Sequence, residues 1–300
     1  MLNKLISFWG KGGVGKTTLS IALTKLLAKE GFRTLYISTD IVPKNTQTFK
    51  NIENFETVFL SENEVRNLWK KRFGKEVYSV ISSFLPVGEE IIDYIAGAPG
   101  ISDEFSIYYI WEIWRNDTYD VIVWDTMAAG GSIRLLELES EFYSHLGEAS
   151  KLYLKIKSSL ESLKRKKDKD PLKLIEEWRE LAKSLLSFLS SDAHDVYVVA
   201  NPDSFSYGNT TYLFQEFSFF GIRPKKLFLN KVISENVCQG CPALEEEKEK
   251  QRKWSTYLGE FSAQNGIEMC EIPYISGKAD GDEIVEIVSE SIKSCLSSSL

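Results

Sequence analysis

The chain predicts an α/β fold, with a mostly parallel sheet flanked by helices and an inserted α-helical subdomain. Three observations carry that prediction. Short runs that are apolar on both faces recur between helical patterns, as strands covered on each side do. A glycine-rich turn joins the first run directly to a helix. Two connections are far longer than an ordinary crossover, so they must hold structure of their own.

Leu5–Trp9 is the first strand, and it is too short for a secretory leader. A helix follows over Thr17–Glu30, with Gly31 as its stop signal. Arg33–Ser38 is the second strand, and the first long connection spans about 61–118. The apolar run Val121–Trp124 then ends in Asp125. The second long connection spans about 137–194. Within it Leu152, Ile156, Leu160 and Leu163 fall at helical spacing. Asp170-Pro171 reads as an N-cap followed by proline at the first helical position, and an apolar stripe continues from Leu174 to Leu189. A helical hairpin around the basic turn Lys164–Lys169 satisfies both patterns. Val196–Ala200, Leu227–Leu229 and a weaker Glu268–Ile272 complete the strands. The expectation is one domain over 1–300 with two helical insertions.

Bulk properties exclude some functions. An apolar fraction of 43% supports a sizeable core. A net charge of −7 argues against nucleic acid as the main partner, since phosphate backbones need clustered Lys and Arg. No run approaches the roughly 18 apolar residues of a membrane span. Four cysteines do not make a disulfide scaffold, so reduced thiols and a cytoplasmic location are expected.

The run Gly10-Lys11-Gly12-Gly13-Val14-Gly15-Lys16-Thr17-Thr18 completes G-x-x-x-x-G-K-[ST] between a predicted strand and a predicted helix. That is the setting of a phosphate-cradling loop. Glycines let backbone N–H groups turn toward phosphate oxygens, and the helix N-terminus adds a favourable partial charge. Lys16 is expected on the β- and γ-phosphates of ATP, and the Thr17 hydroxyl on Mg²⁺. Asp125 ends its strand at the carboxyl edge of the sheet, where it would hold Mg²⁺ through water. Asp40 ends the second strand in the same way and is the candidate for orienting the attacking water.

These residues resemble a family. The loop with its extra lysine is similar to that of the ATPases that include septum-positioning, plasmid-partitioning, nitrogenase iron-protein and arsenite-pump enzymes. Ser38-Thr39-Asp40 looks like the first switch of the branch that drives arsenite pumps and targets tail-anchored proteins. Pro99–Glu104 resembles its P-G-I-D-E segment with one insertion, and Asp125–Leu136 resembles its second switch. Two departures stand out. Asp40 continues Ile41-Val42-Pro43 where the family has P-A-H, and the second switch lacks the family's Pro and His. The resemblance implies an Mg-dependent ATPase working as a homodimer. It makes Lys11 a signature lysine that reaches the partner's nucleotide and Asp40 the catalytic carboxylate. It also places Asn230 at the adenine and Asp203 close to the nucleotide.

Cys238-Gln239-Gly240-Cys241 supplies two of the four ligands a structural Zn²⁺ takes. A second copy of the pair across a two-fold axis would complete the set, giving a zinc shared by the dimer. The targeting branch carries C-x-x-C at this place. A redox dithiol or an inert pair are the other readings. In the targeting branch the insertions would hold a client's apolar tail-anchor helix. Candidate wall residues are Val77, Val80, Ile81, Phe84, Leu85, Ile91, Ile92, Tyr94 and Ile95, then Phe142, Leu146, Leu152, Ile156, Leu160 and Leu163. The alternative is that these stripes pack into the body of the protein. A membrane receptor or pump would be a further partner, with the protein peripheral to the membrane during delivery. The competing functions are an arsenite-efflux pump ATPase and a redox-controlled holdase chaperone.

Overall fold

The computed structural model describes residues 3–39, 53–83, 85–98, 100–126, 144, 148, 171–233, 241–275 and 281–296. Asp40, Phe84, Cys238, most of the second switch and every wall candidate from Phe142 to Leu163 lie outside these residues.

The chain divides into two compact units. The first comprises Met1–Phe59, Trp114–Ile133 and Ser190–Leu300. It holds a seven-stranded sheet built from β1 (Lys4–Trp9), β2 (Thr34–Ser38), β3 (Phe55–Phe59), β4 (Val121–Asp125), β5 (His194–Ala200), β6 (Pro224–Val232) and β7 (Glu268–Pro273). The order is β3-β2-β4-β1-β5-β6-β7, and every pair is parallel. The predicted sheet is therefore present, more uniformly parallel than expected. Strand β3 is an addition to the sequence reading. It is an edge strand, half-exposed, so it lacks the apolar run that marks the interior strands.

Residue alternation along β1 explains how the sheet is covered. Ile6 and Phe8 face a core shared with Leu19, Leu23 and Leu26 of α1 (Lys16–Lys29) and with Val285, Val288 and Ile292 of α8 (Gly281–Leu296). Trp9 points to the other face, where it meets Trp124 and Phe217 edge-on. Phe217 belongs to α6 (Ser204–Phe219), which packs beside α7 (Pro242–Gln264). Both faces are thus dry, as the apolar runs require.

One expectation is corrected in this unit. Cys270 of β7 and Cys295 of α8 are joined in a disulfide, with Cα atoms 6.0 Å apart, rather than standing as reduced thiols. They are distant in sequence, but α8 returns along β7 and closes the gap.

The second unit comprises Leu60–Ile113 and Arg134–Leu189. Its described helices are α2 (Glu62–Ser82), α3 (Ile91–Ala96), α4 (Ile101–Arg115, which ends in the first unit) and α5 (Pro171–Leu189). A capping box starts α2. The Glu64 N–H donates to Ser61 Oγ at 3.4 Å, and the Ser61 N–H donates to Glu64 Oε2 at 3.0 Å. Proline opens α5, as predicted, and its stripe buries Leu174, Ala182, Leu185 and Phe188.

Candidate functional site

The carboxyl ends of β1, β2, β4, β5 and β6 converge on the glycine loop, because a parallel sheet points all its strand ends one way. The loop spans the gap between β1 and α1. Two of its glycines have no room for a side chain. A Cβ on Gly10 would sit 2.2 Å from the Val199 carbonyl oxygen. One on Gly15, whose φ is 103°, would sit 2.2 Å from Asn230 Nδ2. The loop is therefore pressed against β5 and β6, and only glycine permits that approach.

Lys16 is buried at 6% exposure, with its ammonium folded back into the loop. It donates to the Gly10 carbonyl at 3.1 Å and to the Lys11 carbonyl at 3.4 Å. The loop thus holds a cation folded against its own carbonyls. Lys11 points elsewhere, with its ammonium 4.9 Å from the centre of the Phe205 ring.

Asp125 is fully buried at the end of β4, beside Phe8 of β1 and Ser38 of β2 in the strand register. Its Oδ2 accepts a 2.9 Å hydrogen bond from the Tyr36 hydroxyl. Burial first, then the Asp125 charge, pushes the Tyr36 phenol far above its ordinary range, so it remains a donor. The flanking residues fix this corner. Thr126 Oγ1 donates to the Phe8 carbonyl at 2.6 Å, and the Thr39 N–H donates to the Asp125 carbonyl at 3.2 Å. The two switch segments therefore start from strand ends that are tied together. Thr17 and Asp125 offer oxygen donors, the kind a hard cation such as Mg²⁺ takes.

Asp203 is the N-cap of α6. Its Oδ1 accepts from the Ser206 N–H at 2.8 Å, and its Oδ2 from Ser206 Oγ at 3.0 Å. Asn230 is buried at 7% exposure and braces the loop. Its Nδ2 donates to the Val14 carbonyl at 2.7 Å, while its Oδ1 accepts from the Lys231 N–H at 2.9 Å. The amide has one further donor and one further lone pair beyond these two bonds. Sequence reasoning missed two neighbours. Lys231 donates from Nζ to the Gly13 carbonyl at 2.8 Å. Asn201 directly follows β5 and has a buried Oδ1 with no partner among the described residues. The only signal for either was its place at a strand end.

Cys241 is the N-cap of α7 and half-buried. Among the described residues no group of three or more His, Cys, Asp or Glu could hold a metal ion.

The helical unit has an apolar cavity of about 300 Å³. Trp69, Phe73, Phe105, Tyr108 and Trp178 are among its lining residues, together with Val77, Val80, Ile81 and Ile95, which are also wall candidates. Leu85 and Tyr94 stand exposed at 56% and 80%.

Comparison with known proteins gives a consistent result. The sequence profile of the anion-transporting ATPases matches residues 3–294. A putative arsenical pump-driving ATPase 2 of Aquifex aeolicus is 27% identical, covering 93% of this chain and 96% of its own. The ATPase get3 of Pyrenophora tritici-repentis is 23% identical over 94% of this chain and 88% of its own. An ATPase ASNA1 homolog of Cryptosporidium parvum is 32% identical over 46% of this chain and 38% of its own.

Proposed function

We propose, for a chain that belongs to the anion-transporting ATPase family, the work of an ATP-driven homodimeric targeting factor that holds and releases apolar membrane-anchor helices. The family makes it an ATP-hydrolysing enzyme. In this reading Lys16 leaves its loop carbonyls for the β- and γ-phosphates, and the loop N–H groups of Gly12 to Thr18 complete the cradle. Thr17 directly and Asp125 through water hold Mg²⁺, which neutralises charge on the phosphates. Lys11 swings from Phe205 to the partner's nucleotide, and Asp40 orients the attacking water. Asn230 keeps its spare donor and lone pair for the adenine, and Asp203, at the N-terminus of α6, lies close to the nucleotide. Cys238 and Cys241 share a Zn²⁺ with the same pair of a second subunit.

The apolar cavity of the helical unit is the observation that carries the client. Size limits what it can take. A spanning helix, about 10 Å wide and 30 Å long, fills roughly 2,400 Å³. The cavity at about 300 Å³ admits a few anchor side chains. A whole helix requires it to open, and that opening is the step ATP would drive. The arsenite-pump reading has the Aquifex aeolicus relative in its favour. It needs several close thiols, and among the described residues Cys270 and Cys295 are tied in the disulfide, leaving Cys241 as the free cysteine.

The test is co-expression with a tagged 20-residue apolar helix. Capture should depend on ATP and fall several-fold in Ile81→Asp and Leu185→Asp with secondary structure unchanged. Equal capture by wild type and both variants sinks the reading.

A further inference from the structure

Among the described residues, Lys231 is one of four other than glycine that adopt positive φ, at 62°. A lysine in this region is uncommon, and such strain persists only where the surroundings fix it. Here three groups fix it. Its N–H donates to Asn230 Oδ1 at 2.9 Å. Its carbonyl accepts from Gln251 Nε2 at 3.2 Å. Its Nζ donates to the Gly13 carbonyl at 2.8 Å. Gln251 lies on α7, and its Oε1 also accepts from the Ile233 N–H at 2.9 Å. The β6–β7 register shifts between Leu229 and Val232, so the strand end leaves its regular ladder here. One glutamine amide clasps that end from both sides.

The consequence for the loop follows from peptide geometry. A trans peptide points its N–H opposite its carbonyl. Holding the Gly13 carbonyl toward Lys231 turns the Val14 N–H away from Lys231. Holding the Val14 carbonyl toward Asn230 turns the Gly15 N–H away from Asn230. Two successive donors are thereby aimed away from β6, the orientation an anion-binding nest in the loop would use.

We infer that Lys231 is a positioning residue for the triphosphate, locked in place by Gln251, and that α7 controls the donor geometry of the phosphate loop through this pair. The inference rests on the nucleotide reading of the loop and is independent of any client. Its signature is a loss that does not depend on the base.

The experiment measures dissociation constants for ATP and for inorganic tripolyphosphate, with melting temperatures, on wild type, Lys231→Gly, Gln251→Leu and Gln251→Glu. Lys231→Gly and Gln251→Leu should weaken both ligands by about tenfold, the scale of one charge-assisted hydrogen bond. Lys231→Gly should melt no lower than wild type, because glycine takes this backbone without strain. That separates a positioning role from a merely structural one, which would lower both quantities. Gln251→Glu keeps the acceptor for Ile233 and loses the donor to Lys231, so it should fall between. A loss confined to ATP would place Lys231 at the base and overturn the inference. So would unchanged affinities beside a wild type that binds both ligands. A wild type that binds neither ligand removes the nucleotide reading itself.

Discussion

Tyr36 shows how much one side chain does at the centre of the sheet. Its hydroxyl is a donor to the buried Asp125 carboxylate, and it stays protonated because burial and that charge oppose ionisation. A phenol raised in the folded state contributes stability in full below its unfolded value of about 10 and loses it as the pH climbs further. Tyr36→Phe should therefore unfold more easily by about 1–3 kcal/mol at neutral pH, where a buried acceptor loses a donor. Above pH 10 its melting temperature should fall less steeply than that of wild type, and melting curves across about pH 7 to 11 check both signs. Asp125 was legible in the sequence because it terminates the most apolar run of the chain. Asn230 was legible as a strand-end amide, yet its bracing of Val14 was not, since that bond crosses from β6 to the loop. Lys231 and Gln251 were invisible. Their roles depend on a positive φ and on α7 lying against β6, which no local pattern reports.

Among the elements, legibility followed the strength of local signals. Helix α1 had a motif before it and α5 had a proline at its start, and both stand close to where the sequence put them. Strand β3 had neither an apolar run nor a flanking motif. Helix α6 exposes Phe205, Tyr212 and Phe219 while burying Leu213, Phe214 and Phe217, so its periodicity is blurred. The link between β7 and α8 was legible only as two separate cysteines. It closes a loop with a separation of 25 residues, which the chain-entropy account values at about 3.5 kcal/mol. Helix α8 packs on α1, the helix that follows the phosphate loop. Reduction, or Cys295→Ser, should lower the unfolding free energy read from denaturant curves by an amount of that order, and identical curves for oxidised and reduced protein would refute the link's contribution.

At the scale of the molecule, one unit carries the phosphate loop and the other an apolar cavity. If ATP drives clients as proposed, linkage requires symmetry between the two ligands. ATP must change the affinity for an apolar probe by the same factor as the probe changes the affinity for ATP. The expected factor is about 5–150, measured by titrating each ligand in the presence of the other. A factor of one in both directions would dismiss the coupling. From connection lengths alone the sequence suggested one domain with two helical insertions, because two stretches were too long to be crossovers.

The sheet order has a consequence for biosynthesis. Strand β1 is the first made, yet its neighbours are β4 and β5, so Leu5 pairs with Ile122 and with His194. At roughly 5–20 residues per second, the ribosome delivers β5 about 10–40 s after β1. Through that interval Leu5, Phe8 and Trp9, each fully buried at the end, have no finished sheet to enter. The phosphate loop that follows them has neither Val199 nor Asn230 to press against until later still. The chain thus passes through synthesis with an apolar segment of its own unsheltered, and its nascent form should be a strong client of whatever shelters unfolded polypeptides at the tunnel exit.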